Sequence, residues 1–88
     1  MPYISQEARE HVDNQIYALK VALLDFKPDD RDGVFNYVFT KLLKPFYWEN
    51  YHDLNRAIGI LESCKLEFYR RMAAPYEDKK IEENGDVK

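Results

Sequence analysis

One cysteine, three glycines and two histidines are all that this 88-residue chain has of three residue types on which many active sites depend. With Cys64 alone, no disulfide closes within the chain. A zinc site would have to be assembled from His11, His52 and carboxylates, at spacings that match no common ligand pattern. Three glycines are too few for a glycine-rich phosphate loop, and neither a nucleophile elbow nor a Cys–His pair occurs. No catalytic residue, metal ligand or cofactor is therefore assigned. No apolar run approaches the ~20 residues that span a bilayer. The opening Met1-Pro2-Tyr3-Ile4 has neither the basic start nor the apolar core of a signal peptide. These absences imply a cytoplasmic protein in a reducing compartment with no membrane partner.

A charge excess of one sign is also missing, the formal net charge being −3. The distribution is uneven, because residues 41–71 carry six basic and four acidic side chains while both ends are acidic. A nucleic-acid binder usually shows a basic excess over the whole domain, so polyanion binding is disfavoured, whereas a compact phosphate-bearing ligand in the middle segment is allowed.

What the chain does have is apolar and aromatic bulk, 45% and 15% of its residues, with seven tyrosines and one tryptophan. A chain this short buries only roughly 60–65% of the surface its unfolded form exposes, so its own core is thin. Large rings with polar tips suit a partner surface. The expectation is a single helical domain over 1–88, with about 84–88 as a frayed tail, that forms a homo-oligomer.

No strand-period alternation or repeat occurs, so the class is all-α, a small helical bundle. Ser5 is placed to cap a first helix with Glu7 in its first turn, and Ala8, Val12, Ile16, Leu19 and Leu23 then fall on one face. Lys27-Pro28-Asp29-Asp30 breaks that helix and starts a second. There Val34, Phe35, Val38, Phe39, Leu42 and Leu43 span about half the circumference, the pattern of a helix touching two neighbours. Lys44-Pro45 ends it, and Phe46-Tyr47-Trp48 either plugs one end of the bundle or offers a stacking platform for a ligand base. A long third helix runs from about Asn50 or Asp53 to Ala74, where it is broken at Pro75, and a short fourth helix ends near Asn84-Gly85.

The third helix carries the functional argument. Leu54, Ala57, Ile58, Leu61, Cys64, Phe68 and Met72 form a continuous apolar face that should be core, with Lys65 inside the arc. Asn55, Glu62 and Tyr69 run beside it, so Glu62–Lys65 and Lys65–Tyr69 are neighbours on one strip. Either Lys65 snorkels from the bundle edge with Glu62 as its counter-charge, or the strip holds a phosphate or sugar. A second strip, Arg56, Ser63 and Arg70, is either a solvated face where Glu67 pairs with Arg70 and Arg71, or a fork for phosphate or a partner's carboxylates. Gly59, costly in a helix interior, points to close approach of another subunit, with Ile60 and Leu66 exposed nearby. Glu62, Glu67, Glu77 and Asp78 offer oxygen ligands of the kind Mg²⁺ accepts, a faint likeness to all-α nucleotide pyrophosphatases. Glu62 and Glu67, however, point about 140° apart on one helix and cannot share a metal within a subunit.

The chain resembles a family of short, all-helical proteins of phages and prokaryotes whose function is not established. The likeness begins at Met1-Pro2-Tyr3-Ile4, resumes at Asp32-Gly33-Val34-Phe35-Asn36-Tyr37-Val38 and is nearly continuous from Asn55 to Val87. Its distinctive part is Pro75-Tyr76-Glu77-Asp78-Lys79-Lys80-Ile81 followed by Glu83-Asn84-Gly85-Asp86-Val87. The resemblance implies a phage or prophage setting, in which small helical oligomers act on host components, anti-defence roles among them, or on nucleotide signals. Three functions are compatible with these residues. The first is a non-enzymatic oligomer that sequesters a phosphorylated small molecule such as a cyclic-nucleotide immune signal. In it Lys65, Arg56 and Arg70 hold phosphate, Asn55 and Glu62 read polar edges, and Tyr69, Tyr76 or Trp48 stack. The second is a protein-interaction module without a small-molecule site. The third is a Mg²⁺-dependent nucleotide hydrolase.

Overall fold

The computed structural model describes residues 2–88; Met1, where the family-like opening begins, lies outside them. The chain is all-α, with α1 over Gln6–Leu23, α2 over Pro28–Leu43, α3 over Tyr51–Phe68, a π-helical segment over Tyr69–Ala73 and α4 over Ala74–Asn84. Among the described residues there is no strand.

Local sequence chemistry sets the helix ends. The Ser5 hydroxyl accepts from the Ala8 N–H at 3.1 Å. Pro28 opens α2, with Asp29 and Asp30 against the positive end of its dipole. The Asn50 side chain accepts from the Asp53 N–H at 2.9 Å to start α3. At the C-terminus Gly85 adopts φ of 88°, a conformation that costs glycine little, and its N–H bonds the Ile81 carbonyl at 2.8 Å. The α1–α2 turn is fastened from the side. Arg31 donates from Nε to the Leu23 carbonyl at 3.0 Å and from Nη2 to the Phe26 carbonyl at 2.8 Å, so a guanidinium of α2 grips the carbonyls at and just beyond the end of α1.

Pro75 does not break the third helix as the sequence suggests. It has no N–H to give the Arg71 carbonyl, and in a regular α-helix its ring would press on that carbonyl. Here the Ala74 N–H reaches back five residues to the Tyr69 carbonyl, so a π-bulge widens the helix ahead of the proline and the rod continues. α3, bulge and α4 form one joined helix of 34 residues. At 1.5 Å per residue that is about 50 Å, close to the longest extent of the molecule, 48 Å.

The helices do not close into a bundle within one chain. Leu23, 8% exposed, is the one buried residue among those described, and the helices barely touch along their lengths. On α1 the apolar face is covered at Leu23 and half-covered at Ala8, while Ile16 is open. On α2 Val34, Val38 and Leu43 are half-buried, whereas Phe35, Phe39 and Leu42 are exposed. The face of α3 expected as core is open almost throughout: Ile58 is 66%, Phe68 67% and Met72 59% exposed. The radius of gyration is 16.8 Å, against about 12 Å for a compact domain of this length.

Candidate functional site: the groove between the N-terminal arm and α3

The extended residues ahead of α1 lie back on the third helix. Tyr3 donates its phenolic hydrogen to Glu67 Oε1, and Arg70 Nη2 donates to the Tyr3 oxygen at 3.1 Å and to Glu67 Oε1 at 3.1 Å. Arg71 Nη1 approaches the same phenol at 3.5 Å. One phenol thus joins a carboxylate and two guanidiniums at the start of the bulge. These bonds hold the Glu67 carboxyl below the usual carboxylate range, the Tyr3 hydrogen bond first and the Arg70 guanidinium after it. Arg9, on the first turns of α1, donates to the Ile4 carbonyl at 3.0 Å and fixes the arm's other end.

Arm and helix enclose a groove of about 680 Å³, with Pro2 on one side and Arg56, Gly59, Ile60, Ser63, Cys64, Glu67 and Phe68 on the other. Arg56 stands over the Tyr47 ring, 5.6 Å from its centroid, and makes no ion pair among the described residues. Arg70, with Pro2, Ser63, Leu66 and Glu67, lines a smaller adjoining hollow of about 250 Å³. The strip Arg56–Ser63–Arg70 therefore faces the arm. Its two cations differ in kind: Arg70 is neutralised by Glu67, and Arg56 is uncompensated.

The other residues singled out from the sequence do not converge on this groove. Lys65 pairs with Glu62 at 3.1 Å, with the two side chains 69% and 53% exposed, the geometry of a solvated helix pair that contributes little. Asn55 is exposed. Tyr69 makes no hydrogen bond to Lys65 among the described residues; the neighbouring Glu77 carboxylate raises its phenol above the ordinary value, and the charge of Asp78 adds to the effect. The bulge explains the pairing, because eight residues on a regular α-helix end about 80° apart, whereas absorbing one of them brings the spacing near seven and the two faces into line. Tyr76 lies under Lys80, whose Nζ is 5.5 Å from the ring centroid. Trp48 belongs to a different corner, a hollow of about 450 Å³ lined by Lys41, Lys44, Pro45 and Trp48. There the Tyr37 hydroxyl accepts from Lys41 Nζ at 2.9 Å and raises its pKa.

Pro2 and Tyr3, the arm's side of the groove, were not singled out as site residues from the sequence. Tyr3 meets its partners 64 and 67 residues away, and no local pattern announces that. No group of three or more His, Cys, Asp or Glu side chains able to hold a metal occurs among the described residues. Gly59 has open space around it: a Cβ added there would meet nothing within 4 Å.

A family model described as a domain of unknown function (DUF6899) covers residues 1–87. No curated protein and no solved structure matches the chain.

Proposed function

We propose that this chain, which belongs to the DUF6899 family of domains of unknown function, is a non-catalytic interaction module whose working form is an assembly. The observation that carries this reading is the amount of surface left open. The chain exposes 8271 Å², whereas a compact monomer of 10.5 kDa exposes about 5,400 Å². The excess is about 2,800 Å² by the same scaling, and large apolar side chains stand open on every helix, Ile16, Leu42 and Ile58 among them. Stripes of this size on a soluble helical chain mark contact surfaces. A cytoplasmic, phage-type setting belongs to the same proposal and rests on the lone cysteine and the resemblance of the C-terminal half.

The test is small-angle scattering and far-UV circular dichroism of the purified chain at low concentration. The expected result is an expanded, weakly cooperative chain that gains helix and a sharp melt on association. A dilute monomer with a radius of gyration near 12 Å and a cooperative melt would refute it.

A second reading concerns the groove. Arg56 without a counter-ion, with the Ser63 hydroxyl one strip position away and apolar Ile60 and Phe68 beside it, has the chemistry to hold a phosphorylated small molecule of nucleotide type. Here Arg56 takes the role that the sequence shared among Lys65, Arg56 and Arg70. Thermal-shift screening against mononucleotides and cyclic oligonucleotides tests it: a shift that Arg56→Ala removes supports the site, and a shift that survives Arg56→Ala moves it elsewhere.

A further inference from the structure

We propose that the open face of α3 and the bulge, Leu54, Ile58, Leu61, Phe68 and Met72, is covered by a second copy of this chain. This rests on the interaction-module reading and names the partner. The stripe runs about 27 Å along the joined helix, all of its large residues exposed in the single chain.

The occupant follows from area, distribution and charge. A standard interface covers about 800 Å² per partner, and an obligate homodimer roughly 1,000–2,500 Å², so an excess of about 2,800 Å² per chain is on the scale of an obligate interface. The excess is spread over all three rods, with Ile16 of α1, Leu42 of α2 and Ile58 of α3 all open. A single unrelated partner would need matching apolar surface on several sides, whereas a copy of this chain brings the same uncovered faces by symmetry, each contact serving both copies. The charge pattern permits the copy to approach. The cation within the stripe, Lys65, is already paired with Glu62 of its own chain at 3.1 Å, so two stripes meet without net repulsion.

The experiment is sedimentation equilibrium together with thermal melts followed by circular dichroism, at about 1 and 100 µM, a span wide enough for mass action to move a coupled melt. The expected result is a particle of at least twice the 10.5 kDa chain mass and a melting temperature that rises with concentration. Ile58→Glu/Phe68→Glu should return the mass to that of one chain. A wild-type monomer of low helix content would overturn self-pairing while leaving an interaction module with another partner. A wild-type monomer with full helix content and a concentration-independent melt would overturn both. An oligomer whose mass and melt are unchanged by the double substitution would overturn the assignment of this face.

Discussion

Phe68→Ala discriminates between a core inside the chain and a core between chains. Phe68 is 67% exposed in the single chain, and an aromatic residue offers about 150–250 Å² to bury, so a covering partner removes roughly 130 Å² from water. At about 25 cal/mol per Å² this is near 3 kcal/mol, of which an alanine recovers about a third, leaving about 2 kcal/mol lost per copy. A two-fold contact counts the loss twice, about 4 kcal/mol, or roughly a thousandfold weaker association at 1.4 kcal/mol per decade. Sedimentation equilibrium over a hundredfold range of concentration reads that change directly. If the substitution lowers the melting temperature equally at every concentration and leaves the dissociation constant within threefold of wild type, Phe68 is packed within its own chain and the reasoning fails.

Other expectations follow from the bulge, the arm and the groove. Pro75→Ala restores a backbone donor and relieves the need for the π-turn. The helix should tighten, Glu77 should rotate away from Tyr69, and the Tyr69 phenol should titrate at lower pH in a UV titration; an unchanged titration would show that the bulge does not depend on the proline. Glu67 is held below the ordinary value of 4.5 in the folded chain. The arm contact should therefore be intact above 4.5 and lost only as pH falls through the lower folded value, which amide shifts of Tyr3 and Ile4 would report; in Glu67→Gln that transition should vanish. For any phosphorylated ligand found by thermal shift, Lys65→Met should keep the shift and Arg56→Ala should remove it, because Lys65 is solvated beside Glu62 while Arg56 has no counter-ion. The opposite pattern would restore the Lys65 strip as the site.

Much of the secondary structure was legible from short-range chemistry. Ser5, Pro28 and Gly85 mark helix ends because capping, φ restriction and positive φ are decided within a few residues. The apolar stripes on α1, α2 and α3 were likewise readable from periodicity. The groove was half legible: the spacing of Arg56, Ser63 and Arg70 gave one wall, while Pro2 and Tyr3 on the other wall come from the far end of the chain. On the Lys65 strip, proximity to Glu62 and Tyr69 on a helical projection does not reveal that the Glu62–Lys65 pair is solvated or that Tyr69 lies beside the Glu77 carboxylate.

The sequence by itself determined that this protein is helical, where most helices begin and end, and which side of each is apolar, since those properties depend on neighbours up to four residues away. Whether Pro75 ends a helix or sits behind a π-bulge was decided by the folded backbone, which reroutes the Ala74 N–H to the Tyr69 carbonyl. The closing of Tyr3 onto Glu67 and Arg70 was a tertiary matter. The largest decision of that kind is where the apolar stripes go. Periodicity states that a face avoids water but not what covers it. In this fold the stripe of α3 is left uncovered by its own chain, so the same residues that read as a core stand open, and the cover proposed for them is a second copy of the chain.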